Sequence, residues 1–595
     1  MTHQNIFLLL RRLWLHISPG HRRKFALLLI LMILASFAEI LSIGAVLPFL
    51  SILIEPAKVF AHPIAQPVIK ALALTEPRQL LLYLTIVFGM AALIAGMMRL
   101  TLLWASTRLS YAVGADLSAS IYRRTLYQPY AVHLARNSSE VIDGISAKTG
   151  NAIYVINMVL NLLSSSVMLI AILIALLSVD PFISLVAFGG FGLIYALIIK
   201  LTRKRLILNS LISGRESTKV IKTLQEGLGG IRDVLIDGSQ ETYCQIYRSA
   251  DQPMRRAQGN NLFISSSPRY GMEALGMLLI AVLAYTLSQK VDGIASTIPV
   301  LGALAVGAQR LLPVLQQAYG SWSNILGGYA SLEDTLKLLD QPLPKNIGQP
   351  IAKPLPFKQQ ISLKQISFRY SRQAPWVLRN LDLIIAKGSR IGFIGVTGSG
   401  KSTLLDIIMG LLEPTEGTIE IDGQPITLGN HREWQSHIAH VPQAIFLADS
   451  TIEENIAFGV SKEKIDPKRV RSAAKEAQMA DIIESWPNKY DTFVGERGVR
   501  LSGGQRQRIG IARALYKQVD VIIFDEATSS LDNQTENAVM NAIDSLNKDL
   551  TILIIAHRLT TLCNCDQIIQ LSGGKVNRVA SYQDIIEKTS KISPN

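Results

Sequence analysis

The sequence predicts an α-helical membrane domain of six transmembrane helices fused to a soluble α/β domain, and three observations predict it. Long apolar runs such as "FALLLILMILASFAEILSIGAVLPFLSILI" fill the first 330 or so residues. The remainder alternates short apolar runs with charged and glycine-rich stretches, as water-soluble domains do. Within that remainder, "RIGFIGVTGSGKSTLLDIIMGLL" reads as a buried strand, a glycine-rich turn and a helix, the building step of a layered α/β unit. At 595 residues the chain is too long for one ordinary core, since domains usually run ~100 to 200 residues. The expected organisation is a membrane domain with cytoplasmic stalks over 1–330, a linker over 331–358 and the α/β domain over 359–595.

A helix needs about 20 residues to cross the hydrocarbon layer. Six stretches meet or approach that length, near 25–53, 79–107, 152–178, 182–199, 270–287 and 294–318. Arg11, Arg12, Arg22, Arg23 and Lys24 precede the first and Lys200, Arg203, Lys204 and Arg205 follow the fourth, so the positive-inside rule places both sites in the cytoplasm. The first span is too long for a signal peptide and is expected to be retained. Two long polar connections, roughly 108–150 and 200–268, then become cytoplasmic helical stalks. In the second, the glycines of "EGLGGIRDVLIDGSQETY" precede a short amphipathic segment that fits a small helix lying across a partner domain. On the outer side, Ile64 to Leu74 is apolar but too short to span, which fits a helix lying at the interface.

The formal net charge of +14 is explained by basic clusters flanking the spans, so a nucleic-acid partner is not expected. Cys244, Cys563 and Cys565 are too few for a disulfide framework, and Cys-x-Cys lacks the further ligands of a zinc site. Reduced thiols are expected.

Chemistry concentrates in the second half. "GVTGSGKS" at Gly395 matches G-x-x-x-x-G-K-[ST] in its strand and helix context. Gly395, Gly398 and Gly400 let backbone N–H groups, with those of Thr397, Ser399 and Thr403, close on phosphate oxygens. Lys401 reaches the β and γ phosphates, and the Ser402 hydroxyl can ligate magnesium. A second strand, "VDVIIFDEA", delivers Asp525 and Glu526 at its carboxyl end, where open α/β sheets bind ligands: one carboxylate for a metal, one to activate water. Upstream, "LSGGQRQRIGIARAL" starts a helix at Ser502, Gly503, Gly504 and Gln505 and offers a second anion-binding N-terminus.

"LSGGQ" at Leu501, the loop at Gly395, "VIIFDEATSSLD" at Val521 and "IIAHR" with His557 together resemble the P-loop ATPase domain of an ABC transporter. With six apolar spans in front, the chain resembles an exporter-type half-transporter over nearly its whole length. The resemblance implies ATP and Mg2+ as cofactors, Tyr370 stacking on adenine, and Gln443 sensing magnesium and the attacking water. It also implies Asp525 as metal carboxylate, Glu526 as general base, His557 at the γ phosphate and Asp532 in a loop that communicates across a dimer. "LSGGQ" of one copy would close on ATP held by the other, so a homodimer is expected.

The cargo is to be sought in the membrane half, where ionisable residues are costly. Arg99, Arg269 and Arg310 stand there; counting ~1.5 Å per residue puts Arg99 and Arg310 some 20–30 Å from the outer end, toward the cytoplasm. Facing a cavity, they could hold a phosphate or pyrophosphate by bidentate hydrogen bonds. Against this, arginines at a cytoplasmic end can snorkel, and Glu273 lies one turn after Arg269. "FAEILSIGAVLPFLSIL", "SSSPRYGMEALG" and "DGIASTIPVLGALAVGAQRLLPVLQQ" resemble the bacterial lipid-linked oligosaccharide flippases. That resemblance implies an ATP-driven flippase or exporter of a polyprenyl-diphosphate glycolipid in a bacterial inner membrane. The alternative is a general lipid, drug or peptide exporter; a soluble ABC ATPase or a nucleotide-gated channel is a more distant reading.

Overall fold

A computed structural model describes the chain apart from residues 1–4, 55, 64–65, 72–74, 178–180, 289–293, 345–353, 527–532, 545–548, 557 and 593–595, together with some side chains inside the apolar helices. The chain divides into two compact units: Met1–Gln128 with Ala135–Pro344, and Pro129–Leu134 with Lys345–Asn595.

The first unit is all helix. In chain order it contains α1 (Ile6–His16), α2 (Pro19–Ile54), α3 (Pro56–Ala61), α4 (Gln66–Ala71) and the 50-residue α5 (Pro77–Leu126). Then come α6 (Tyr130–Ala135), whose first residues sort with the second unit, α7 (Ser138–Asp143), a π-helical turn over Gly144–Lys148, and α8 (Thr149–Leu177). The 49-residue α9 (Pro181–Gly229), α10 (Ile231–Ile236), α11 (Gln240–Ser266), α12 (Pro268–Ser288), α13 (Ile294–Gly327) and α14 (Tyr329–Leu339) complete it.

Among the described residues three segments are long and apolar enough to cross a membrane: Pro19–Leu53, Gln79–Leu126 and Ser138–Ala175. The other three expected spans lie on α9, α12 and α13, where many side chains are outside the described residues. The spans do not stop where the apolar runs do. α5 continues unbroken from the expected span into the expected stalk, because nothing between Gln79 and Leu126 removes a helical hydrogen bond. Of the expected interfacial helix, Gln66–Ala71 is helical, and Ile64 and residues 72–74 lie outside the described residues.

α1 is amphipathic. Ile6, Leu9 and Leu13, three and four residues apart, are buried against this unit's core, and Phe7, Leu8 and Leu15 are exposed. The Asn5 side chain caps it by accepting from the Phe7 N–H at 3.3 Å.

The expected linker starts later than 331. α14 buries Leu332, Leu336 and Leu339 completely in the core of the first unit, so Tyr329–Leu339 is structural packing of that unit. Asp340 follows it and is tied to Arg12 and, at 2.8 Å, to His16 Nε2. A buried polar knot also holds α14. Asp143, fully buried, accepts from Ser217 Oγ at 2.8 Å and Thr218 Oγ1 at 2.7 Å, while Lys148 Nζ lies 3.5 Å from Asp143 and 2.7 Å from Asp334 on α14. Removing one partner of such a buried set costs about 3–5 kcal/mol.

The second unit contains two sheets. β1 (Gln360–Phe368), β2 (Leu378–Ala386), β4 (Glu416–Ile421) and β5 (Gln424–Pro425) form an antiparallel sheet in the order β2-β1-β4-β5. β3 (Arg390–Ile394), β6 (Ile438–Val441), β7 (Val521–Asp525), β8 (Thr551–Ile555), β9 (Gln567–Ser572) and β10 (Lys575–Ala580) form the order β10-β9-β3-β8-β7-β6. All pairs in the latter are parallel except β10 with β9. Ile391, Phe393, Ile522, Ile523, Leu553 and Ile555 are almost fully buried, as a parallel sheet covered on both faces requires. Parallel strands point their carboxyl ends to one edge, so Ile394 and Asp525 finish at the same edge of the sheet, with β8 between them.

Candidate functional site

The loop at Gly395 leaves the end of β3 and passes into α15 (Lys401–Ile408). Gly400 sits at φ +97°, and a Cβ there would lie 2.7 Å from Leu378 Cδ2 and 3.1 Å from the Val377 carbonyl oxygen. A Cβ on Gly395 would fall on the Leu571 carbonyl oxygen. Only glycine fits both places, for lack of space as well as for backbone freedom. Lys401 is 7% exposed and donates to the carbonyls of Gly395 at 2.8 Å and Val396 at 3.2 Å, which holds its amine inside the loop.

Thr397, Gly398, Gly400, Lys401, Ser402, Thr403, Gln443 and Glu526 line one cavity of about 430 Å³, together with Val377. Gln443 Nε2 donates to Glu526 Oε2 at 2.6 Å, joining the expected sensor and base directly. Glu526 has φ +50°, uncommon for a residue with a Cβ, and its N–H bonds the Ile555 carbonyl at 3.1 Å. Asp525 lies behind Ser402 and accepts a hydrogen bond from its hydroxyl; burial, then the Glu526 charge, push its carboxyl above the ordinary range. Tyr370 is half exposed, with its hydroxyl 3.0 Å from Thr403 Oγ1 and its ring edge-on to Phe368. His557 and Asp532 lie outside the described residues.

The donor set fits a magnesium-bound nucleoside triphosphate. The buried Ser399 hydroxyl has no partner among the described residues, and a cradle of N–H groups starts the helix behind a buried lysine. Ser402, Asp525 and Gln443 would hold the magnesium ion, whose charge would offset that of the phosphates. Glu526 and Gln443 would orient water beside them.

Two groups escaped the sequence reading. Asp406 on α15 faces Asp525, and burial, then that neighbouring charge, raise it to about 6. Its place in "TLLDII" carries no signal of this. Glu536, 5% exposed, accepts from Arg558 Nη1 at 2.8 Å and Thr561 Oγ1 at 2.7 Å, which pins the segment just after His557.

Ser502, Gly503, Gly504 and Gln505 open the helix Gly503–Tyr516 in a capping box: the Ser502 N–H donates to Gln505 Oε1 at 2.9 Å and the Gln505 N–H to Ser502 Oγ at 3.2 Å. None of the four lines the cavity at the glycine-rich loop.

In the helical unit, Arg99 on α5 is ion-paired with Glu39 on α2, and Glu39 is fully buried. Arg99 lines a cavity of about 790 Å³ whose other walls include Phe49, Phe88, Leu102, Asn161, Pro313 and Gln317. Arg269 pairs with Glu273 at 2.8 Å, one turn on, and both line a second cavity of about 700 Å³. Pro313 and Gln317 on α13 border both cavities, so the two arginines reach adjoining spaces. Arg310 is on α13, but its side chain lies outside the described residues.

A helical membrane unit on the same chain as an ATP-hydrolysing α/β unit defines an ATP-driven transport protein. A model of the ABC transporter family matches residues 378–529. The ATP-dependent lipid A-core flippase of Cupriavidus metallidurans is 28% identical over 593 residues, 97% of this chain and 94% of that protein. Its namesake in Alkalilimnicola ehrlichii is 30% identical over 401 residues, 67% of each chain, and that in Saccharophagus degradans is 39% identical over 267 residues, 45% of each. The solved structure of a bacterial Atm1-family ABC exporter with ATP bound shares the fold, with a TM-score of 0.78 at 24% identity over 96% of this chain and 99% of that one. The chain belongs to the ABC transporter family, as an exporter-type half-transporter related to the bacterial lipid A-core flippases. It is an integral protein of the bacterial inner membrane with its ATPase unit in the cytoplasm.

Proposed function

We propose that two copies of this chain, each with six spans, form a homodimer that flips or exports a lipid-linked oligosaccharide or related polyprenyl-diphosphate glycolipid by alternating access. The observation that carries this reading is the pair of adjoining cavities. One wall is apolar, through Phe49, Phe88 and Leu102, and suits a lipid; Arg99, Asn161, Gln317 and Arg269 suit a charged, hydroxylated headgroup. The relatives' names point the same way, since each is named for flipping lipid A-core with ATP. A diphosphate would have to displace Glu39 and Glu273 from the arginines, so the acids would screen the site against weaker ligands.

The homodimer reading rests on Ser502 to Gln505. They are built as an anion-binding helix start yet stand apart from the phosphate loop of their own chain, so a complete site takes them from a second copy. Mg2+ would sit at Ser402, Asp525 and Gln443, and His557 would meet the γ phosphate. ATP closure and reopening would then rock the membrane units between inward and outward states.

One observation favours the second reading, a general lipid, drug or peptide exporter: both described arginines are already neutralised by acids. ATPase activity of the purified protein in lipid separates the two. Stimulation by a polyprenyl-diphosphate oligosaccharide that Arg269→Gln abolishes, with basal turnover intact, supports the glycolipid. Stimulation only by unrelated apolar compounds supports the general exporter.

A further inference from the structure

α5 carries two cavities on opposite faces. Arg99, Leu102, Leu103 and Ser106 face the transport cavity, and Trp104, Ala105, Arg108, Tyr111 and Ala112, half a helical turn away, face a separate one of about 510 Å³. The far wall of the latter is α2, through Lys24, Leu27, Leu28 and Leu31. The two cavities share no residue.

Cross-helix side-chain contacts fix the level of this second cavity. His21 meets Asp116 at 3.3 Å and Glu39 meets Arg99, so α2 and α5 run antiparallel and in register past each other. Between those two pairs stand Lys24 and Arg108, and neither makes a hydrogen bond or ion pair among the described residues. At 1.5 Å per residue, Arg108 lies about 9 Å further along α2 than Lys24, on the membrane side. Arginine at that depth is costly without an anion. No carboxylate lines the cavity among the described residues. Its aromatic residues, Trp104 and Tyr111, are exposed and of the type that sits at headgroup level.

We propose that this cavity is a binding site for an anionic phospholipid of the cytoplasmic leaflet, separate from the transport path. The phosphodiester lies between Lys24 and Arg108, Trp104 and Tyr111 flank the glycerol region, and the acyl chains begin against Leu27, Leu28, Leu31 and Leu109 before they enter the bilayer. The volume suits a headgroup and the first methylenes, with the remaining chain in lipid. Charge complementarity selects the lipid: phosphatidylglycerol presents only a phosphate to two cations, whereas phosphatidylethanolamine adds an amine that meets those cations and finds no acid in the cavity lining.

The test uses the full-length protein, delipidated in detergent and titrated with phosphatidylglycerol or phosphatidylethanolamine while bound lipid is counted by native mass spectrometry. Wild type is expected to retain one phosphatidylglycerol per chain in preference to phosphatidylethanolamine. Lys24→Gln with Arg108→Gln is expected to weaken that step about tenfold or more, and Arg11→Gln with Arg23→Gln, which removes two exposed cations outside the cavity, to leave it intact. In case the double variant folds poorly, brominated phosphatidylglycerol is expected to quench wild-type tryptophan fluorescence more than Trp104→Phe fluorescence. Equal retention of both lipids, equal loss in the two double variants, or quenching unchanged by Trp104→Phe overturns the proposal. A cavity covered by a second copy gives the last of these results.

Discussion

Replacing Arg99 by alanine removes more than a cation that faces the transport cavity. Glu39 is fully buried, and its carboxylate is ion-paired with Arg99, so the variant leaves a buried ionisable acid without its guanidinium. Breaking a buried pair from one side costs about 3–5 kcal/mol. The Arg99 side chain is 42% exposed, so screening puts the loss at the lower end, about 3 kcal/mol. In a cooperative unit of about 340 residues the unfolding entropy is about 0.7 kcal/mol/K, so each kcal/mol moves Tm by about 1.4 °C and the helical unit is expected to melt roughly 4 °C lower. Arg99→Ala combined with Glu39→Gln removes charge from both sides and is expected to recover most of that loss. The assay is thermal melting by helical circular dichroism in lipid nanodiscs, run beside glycolipid-stimulated ATPase. A stable double variant that no longer responds to glycolipid marks Arg99 as a ligand, and one that still responds marks it as the counter-ion of Glu39. An Arg99→Ala protein that melts within about 1 °C of wild type, or a double variant no more stable than the single, refutes the reasoning.

Glu526→Gln is expected to bind ATP with wild-type affinity and to lose at least about a hundredfold in turnover, as removal of a general base does; filter binding and phosphate release measure the two, and undiminished turnover contradicts the assignment. Ser502→Ala loses the capping box and is expected to cost about 1 kcal/mol of ATPase-unit stability; an unchanged melting point in the full chain counts against it. For Asp406, raised to about 6, the folded pKa lies above the unfolded value, so its contribution is complete below about pH 4 and is lost as pH rises through 6. Asp406→Asn is therefore expected to leave melting unchanged near pH 4 and to raise it above about pH 7; a shift of equal size at both ends of the range excludes titration as the cause. Gly400→Ala forces a Cβ against Leu378 at a left-handed position and is expected to abolish retention of a fluorescent ATP analogue while the helical unit keeps its melting point.

The nucleotide loop was legible because its chemistry is local: strand, glycines, lysine and serine follow one another, and spacing alone sets the cradle. Arg269 and Glu273 were legible for the same reason, one turn apart on a single helix. Glu39 was not singled out, although it stands in a quoted stretch, since its partner is 60 residues away and nothing in a one-dimensional pattern joins α2 to α5 at that level. The knot of Asp143, Lys148, Ser217 and Asp334 was hidden by the same distance. The leucines of α14 would equally suit a surface helix, and only the core they enter decides otherwise. Asp406 is a plain aspartate in a helix until β7 brings Asp525 beside it.

The continuity of α5 has a mechanical consequence. Fifty residues make about 75 Å of helix, and its three glycines leave the hydrogen-bond ladder intact. Such an element behaves as a lever with little compliance: a 5° tilt about its midpoint displaces each end by about 3 Å in opposite directions. Work done on the cytoplasmic end therefore arrives at the outer end as displacement and is not absorbed by bending. A proline inserted near Ala105 would install a joint in that lever and leave ATP turnover without motion at the far end.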